Sequence, residues 1–187
     1  MEPSEHTIVD RGEAMNSESN ERNRYLDPER TSRVLDVFGP TVEFLISPLA
    51  PEAAYCIMRG TIPPGVSVPL HSHPDDESFY LLSGVVRALR QEADKFEWLE
   101  LKAGGFFHIP SGAKHAWQNT SSKPAVSLIV TTPRLGRFFS EIGRPVTHGI
   151  PAPPTAGELE RFRRLAAQYH HWLGTPDENA AVGISFF

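Results

Sequence analysis

The stretch GVSVPLHSHPDDESFYLLSG, residues 65–84, decides how the rest of the chain is read. It places two histidines one residue apart, His71 and His73, ahead of three consecutive carboxylates, Asp75, Asp76 and Glu77. On a strand, residues i and i+2 point to the same face, so the two imidazoles project together. Pro74, Asp75 and Asp76 let the chain turn and aim the Glu77 carboxylate back towards them. Gly65 and Gly84 read as the turns that bracket a hairpin. Two readings are open at this point: a polar patch on a sheet surface, or part of a metal site.

A second stretch, GGFFHIPSGAKHAWQN at residues 104–119, bears on the choice. The first stretch runs Gly65, five residues, His71, one residue, His73, three residues, Glu77, six residues, Gly84. The second runs Gly104, five residues, Pro110, one residue, Gly112, two residues, His115, three residues, Asn119. In these positions the chain resembles the cupin superfamily, whose two motifs it matches at every defined residue. The resemblance covers residues 65–119 directly and, through flanking strand texture, about residues 34–132. It implies an all-β fold, a double-stranded β-helix (jelly-roll) barrel, with a metal held by His71, His73, Glu77 and His115. Three imidazoles and a carboxylate suit one divalent transition metal: Fe, Mn, Ni, Co, Cu or Zn. They suit Mg or Ca poorly, because those ions prefer oxygen shells. Four protein ligands leave positions open for a substrate or O2.

The neighbours of these residues carry less. Asp75 and Asp76 read as solvated loop carboxylates. Asn119 opens an Asn-Thr-Ser sequon, but reads better as a local hydrogen-bonding residue at a turn. His108 is out of phase with Phe107 and Ile109 and is expected on the opposite face of its strand. His6, His148, His170 and His171 lie outside the motifs and are not expected to be ligands. Cys56, the one cysteine, reads as a small buried hydrophobe; no internal disulfide and no cysteine-based zinc motif is possible.

The whole chain fits this picture. Its 187 residues, 40% hydrophobic and 22% charged, suit one globular domain with extensions. Seventeen prolines and fourteen glycines suit a fold rich in turns. A formal net charge of −5, with no basic tract, argues against nucleic acid and against a membrane surface as partners. No apolar leader is visible, so a cytoplasmic location is expected. Residues 1–32 are polar and read as a leader or arm. Residues 33–133 hold eight to ten short β-rich runs separated by Gly, Pro, Asn and Ser, the pattern of an antiparallel sandwich or barrel. Residues 134–187 read as a C-terminal helical extension: RLGRFFSEIG is a short helix, and TAGELERFRRLAAQYHHWLG a longer one. In the longer helix Thr155 and Glu158 have capping-box spacing, Leu159, Phe162, Leu165, Ala166, Tyr169 and Leu173 form one stripe, and Gly174 is the expected C-terminal cap. The tail TPDENAAVGISFF reads as an arm.

Strand periodicity also suggests what surrounds the metal. If Glu77 points inward, so do Phe79 and Leu81, and Trp117 follows His115. Phe44, Tyr55, Met58, Phe107 and Ile109 are further candidates for the lining of an apolar substrate pocket. The texture of HSHPDDESFYLLSG, of residues 109–133 and of RFFSEIGRP resembles small bacterial cupins related to quercetin 2,3-dioxygenases. That resemblance implies dioxygenase activity on an aromatic or enediol-containing metabolite, with Glu77 both ligand and base. A non-oxidative isomerase, cyclase or decarboxylase and a non-catalytic ligand-binding cupin are the alternatives. The expected partners are a small-molecule substrate, O2 and a second copy of the chain in a homodimer.

Overall fold

A computed structural model describes residues 34–49, 52–93, 95–146 and 153–185. The chain divides into two units, residues 1–30 and 31–187. The expected leader and the Phe186-Phe187 tail lie outside the described residues.

The second unit begins with β1 (Val34–Asp36), β2 (Thr41–Ile46), β3 (Cys56–Ile62), β4 (Ser67–Ser72) and β5 (Glu77–Ser83). It continues with β6 (Val85–Glu92), β7 (Lys95–Lys102), β8 (Phe106–Ile109), β9 (His115–Gln118) and β10 (Ala125–Thr131). Two short strands follow in the C-terminal region, β11 (Arg144–Pro145) and β12 (Trp172–Leu173). One sheet has seven strands in the order β11-β1-β2-β3-β10-β5-β8, the other five in the order β12-β4-β9-β6-β7. All pairs are antiparallel.

Alternation builds the core. On β5, Glu77, Phe79 and Leu81 are buried while Tyr80 is exposed, so every second residue faces the opposing sheet. Met58, Phe79 and Ile129 from the seven-stranded sheet meet Val86, Ala88, Leu101 and Trp117 from the other in one cluster. The Trp117 ring lies 4.4 Å from Phe79 and 5.4 Å from Phe107, tilted and edge-on respectively, the geometries that favour aromatic pairs.

The opening stretch is not a hairpin. β4 belongs to the five-stranded sheet and β5 to the seven-stranded one, so residues 73–76 carry the chain across from one sheet to the other. Gly84 does mark a turn, at φ +81°, and a Cβ there would meet the Pro124 carbonyl oxygen at 2.4 Å.

Three helices complete the unit: α1 (Pro133–Ile142), α2 (Ala156–Gln168) and α3 (Pro176–Ala181). Leu135, Phe138 and Ile142 of α1 pack on Leu165 and Ala166 of α2, with Phe162, Tyr169 and Leu173 beside them. Thr155 and Glu158 form the expected capping box: the Glu158 amide donates to Thr155 Oγ1, and the Thr155 amide donates to the Glu158 carboxylate at 2.7 Å. The helix stops at Gln168, however, short of the Gly174 that reads as its cap. His170 takes a left-handed φ of 59°, and the next residues leave the helix to pair as β12 with β4. The tail is not an arm but α3, with its own capping box of Thr175 and Glu178. Asn179, fully buried, locks it down: its Oδ1 accepts the Leu70 amide of β4 at 2.8 Å, and its Nδ2 donates to the carbonyls of Gly174 and Thr175.

α1 docks closely enough to test. A Cβ on Gly136 would come within 2.6 Å of Cys56 Sγ and 2.7 Å of Pro48 Cβ. Gly136→Ala gains up to about 1 kcal/mol of helix propensity, against an overpacking cost of about 1–3 kcal/mol. The cost should win, with a melting temperature lower by about 3–8 °C. A variant that melts at or above the native protein would show that α1 is not docked this way.

Candidate metal centre

β4 and β9 are neighbours in one sheet, paired with His71 opposite His115. His73 follows β4 by one residue, and Glu77 opens β5 on the facing sheet. The sequence thus brings three imidazoles together on one sheet, with Glu77 facing His73 from the other. The ring centroids of His71 and His115 are 4.1 Å apart, those of His73 and His115 5.0 Å, and those of His71 and His73 5.8 Å. The three histidines offer ligand atoms that all lie within 4.8 Å of one another.

The outward nitrogen of each ring is tied to the backbone. His71 Nδ1 bonds to the Pro69 carbonyl at 2.7 Å, His73 Nδ1 to the Asp75 carbonyl at 2.9 Å, and His115 Nδ1 to the Ala113 carbonyl at 2.9 Å. A carbonyl only accepts, so each Nδ1 carries the proton and each Nε2 presents a lone pair. Glu77 is 3% exposed, with one carboxylate oxygen 3.5 Å from His73 Nε2. His73 Nε2, His115 Nε2 and Glu77 Oε1 are buried with no hydrogen-bond partner. Each such orphan costs about 1–3 kcal/mol. A single divalent cation among the three imidazoles would satisfy their nitrogens, donors that suit a transition metal, and Glu77 lies beside His73 within reach of such an ion.

Electrostatics agrees. Desolvation, then the neighbouring His73, pushes His71 down to about 4. Desolvation, then His71 and His73, holds His115 well below its ordinary value. Both stay neutral at pH 7, as ligation requires. Desolvation is also the largest influence on His73 and lowers it, but Glu77 and Asp75 outweigh it and leave that ring above its ordinary value. His171 is pushed down to about 3, by desolvation first and then by His73 and His71. The lowered rings are neutral in the fold and take up protons on unfolding below about pH 6.5, so their stability is present above that pH and lost as pH falls. His73 acts in the opposite sense, its contribution full below about pH 6.5 and lost as pH rises through its folded value. Three groups outweigh one. The melting temperature of the protein in EDTA should therefore fall as pH drops from about 6.5 towards 4. A flat or rising profile would contradict this burial.

Asp75 departs from the expected loop carboxylate. It is 4% exposed. Its Oδ1 accepts from Thr132 Oγ1 at 2.5 Å, Arg134 lies 3.7 Å from its Oδ2, and its carbonyl holds the His73 ring. Asp76 is exposed as expected, yet its side chain accepts the Ser111 amide at 2.9 Å. Together with the Gly112 amide on the His73 carbonyl, this joins the two motif loops. Asn119 is buried and donates to the carbonyls of Ile62 and Lys123, while its Oδ1 accepts from the amide and hydroxyl of Ser121. His108 is exposed and bonds to Ser78.

The residues expected to line a pocket separate. Phe79, Leu81 and Trp117 border a void of about 10 Å³, room for a single water. Met58 and Ile109 are closed in the core, and Phe44 and Phe107 are half-buried against it. Tyr55 is 49% exposed, because it precedes β3 and does not point inward. The part of the core that Phe79, Leu81 and Trp117 border therefore has no room for a substrate larger than water. The half-buried His71 marks the more open side of the cluster. His171, outside both motifs, lies beside the cluster, its ring 5.3 Å from that of His73. Its place depends on β12 pairing with β4, for which the sequence carries no local signal.

Two antiparallel sheets of jelly-roll type enclosing three imidazoles able to hold one metal ion define the class. Residues 58–131, about two-fifths of the chain, match the family model of the cupin domain. Among solved structures it is similar to oxalate decarboxylase of Lactobacillus farciminis in its formate complex, 25% identical, with a TM-score of 0.48, over 55% of this chain and 31% of that one. It is similar to the polyketide cyclase RemF of Streptomyces resistomycificus, 22% identical, with a TM-score of 0.45, over 50% of this chain and 64% of that one. The Schizosaccharomyces pombe Cnp3 cupin domain is 17% identical, with a TM-score of 0.44, over 52% of this chain and 66% of that one. This chain thus spans less than a third of the oxalate decarboxylase it resembles. No curated protein matches it in sequence. No helix among the described residues is long and apolar enough to cross a membrane.

Proposed function

We propose that the chain is a metal-dependent cupin enzyme of the dioxygenase type, acting on a small aromatic or enediol-containing metabolite. His71, His73 and His115 hold the metal, and Glu77 is its fourth ligand and the proton acceptor. The observation that carries this is the convergence of buried, unpartnered Nε2 atoms with an unpartnered carboxylate oxygen. When bound, the metal supplies Lewis acidity and a site for substrate oxygen atoms. Glu77 sits where it can take a hydroxyl proton from an enediol bound at the cluster, and its burial keeps water from competing. The oxidative form of the reading rests on the resemblance of the motif stretches to quercetinase-like cupins.

The second reading is non-oxidative isomerisation, cyclisation or decarboxylation at the same cluster. The packing of Phe79, Leu81 and Trp117 around a void of only about 10 Å³ supports it, since a flavonol would not fit among them. Oxygen uptake by protein loaded in turn with Fe, Mn, Co, Ni, Cu and Zn, against a panel of enediols, catechols and flavonols, separates the two. Turnover with oxygen uptake supports the dioxygenase. Turnover without it supports the second reading, and binding without turnover on any metal would reduce the protein to a ligand carrier.

Self-association into a homodimer belongs to the same proposal. β8 ends the seven-stranded sheet, and Tyr80, Leu82 and Phe106 are exposed on its outer face, an edge that proteins usually cover. Sedimentation should report twice the 20.8 kDa of one chain, and a monomer at micromolar concentration would sink the idea.

A further inference from the structure

The C-terminal extension brings a fourth imidazole to the cluster. α2 ends at Gln168, His170 turns the chain in a left-handed conformation, and the His171 amide donates back to the Ala166 carbonyl at 2.8 Å. Trp172 then pairs with Ser72, and Leu173 with His71. Paired residues of an antiparallel ladder share a face. Leu173 therefore lies on the metal side of β4, and His171, two residues earlier, lies on that side next to His73. The His171 ring lies tilted, 4.0 Å from Phe138 of α1 and 5.3 Å from His73. Its Nε2 is buried and has no hydrogen-bond partner. Nor does the histidine belong to the group whose ligand atoms lie within 4.8 Å of one another. An aromatic shelf thus holds a polar nitrogen beside the three-histidine group, as Glu77 lies beside it on the facing sheet.

We propose that His171 positions the exogenous ligand: its Nε2 hydrogen-bonds to an oxygen or nitrogen atom of a small anion or enediol bound at the metal. This rests on the metal reading above and adds a residue from outside the cupin motifs to the substrate site. The ring nitrogen can donate to an anionic atom or accept from a hydroxyl, according to tautomer. The C-terminal extension would then be part of the active site, because β12 and the α1–α2 pair set the angle of this one ring.

The test uses full-length protein loaded with Co(II), with metal content measured first and ligand binding followed by visible absorption. The probes are para-nitrocatechol, an enediol-type chelator, and azide, a simple anion. His171→Phe keeps a ring against Phe138 and removes the polar nitrogen; His171→Gln keeps a polar group. His171→Phe should hold metal as the native protein does and bind both probes about tenfold more weakly. His171→Gln should stay within about threefold of native. The proposal is overturned if His171→Phe binds both probes like the native protein. It is overturned as well if that variant folds but loses metal, which would make His171 a ligand, or if the loaded native protein binds neither probe. Native protein that takes up no metal would instead defeat the metal reading itself, and this inference with it.

Discussion

Replacing His115 by Ala should strip the metal from the protein. Outer partners of a metal-ligating histidine are worth about 10–100-fold in affinity, so deleting the ligand itself should cost about a thousandfold or more. His115 is buried, its Nδ1 is bound to the Ala113 carbonyl, and its Nε2 has no other partner. Among the described residues the group that could hold a metal has only His71 and His73 besides it. His73→Ala should behave alike and also leave the buried Glu77 without the imidazole that faces it at 3.5 Å. His108→Ala is the matched control, because that ring is exposed and pairs with Ser78, on the face of the sheet opposite to Glu77. Elemental analysis after dialysis against a weak chelator measures the outcome. The loss should be repeated in heat: saturating metal raises the melting temperature of the native protein by mass action, and this increment should vanish in His115→Ala and His73→Ala. Native-like metal content in both variants would refute the assignment.

The antiparallel two-sheet jelly roll and the histidine cluster were legible in the sequence because both depend on short-range rules. Period-two alternation sets Glu77, Phe79 and Leu81 on one face, and the i, i+2 relation aligns His71 and His73. The spacing from Gly104 to Asn119 carries the turn that delivers His115. What the sequence misleads on is long-range. Residues 65–84 look like one hairpin because two strands flank a turn, but which sheet each strand joins is settled by partners far away: β9 for β4, β10 for β5. Asp75 looks like loop because it sits among polar residues. Its burial comes from Thr132 and Arg134, some sixty residues on. A continuous apolar stripe carries α2 on paper to Gly174, but the ladder with β4 captures Trp172 and Leu173 first. His171 and Asn179 gain their meaning from the same capture and carry no motif of their own.

Glu77→Gln should separate holding the metal from using it. Gln keeps the volume and one carbonyl-type oxygen, so the buried site next to Phe79 should fold as before, and three histidines remain to hold the ion. What Gln cannot do is accept a proton. In the native protein one Glu77 oxygen faces His73 Nε2 at 3.5 Å, and the other has no hydrogen-bond partner among the described residues. Among the described residues no Arg or Lys pairs with it. A carboxylate so placed is free to turn from the cluster to a substrate hydroxyl, whereas a salt-bridged one would be pinned. General-base catalysis is typically worth about 10²–10⁴-fold, and turnover per bound metal should fall by that factor. Metal content should remain above half the native value, and para-nitrocatechol should still bind, with weaker deprotonation read from its visible spectrum. The pairing of outcomes discriminates. Loss of metal together with loss of turnover would make Glu77 chiefly a ligand. Native turnover in Glu77→Gln would remove it from the chemistry and shift the search for the proton acceptor to the more open, His71 side of the cluster.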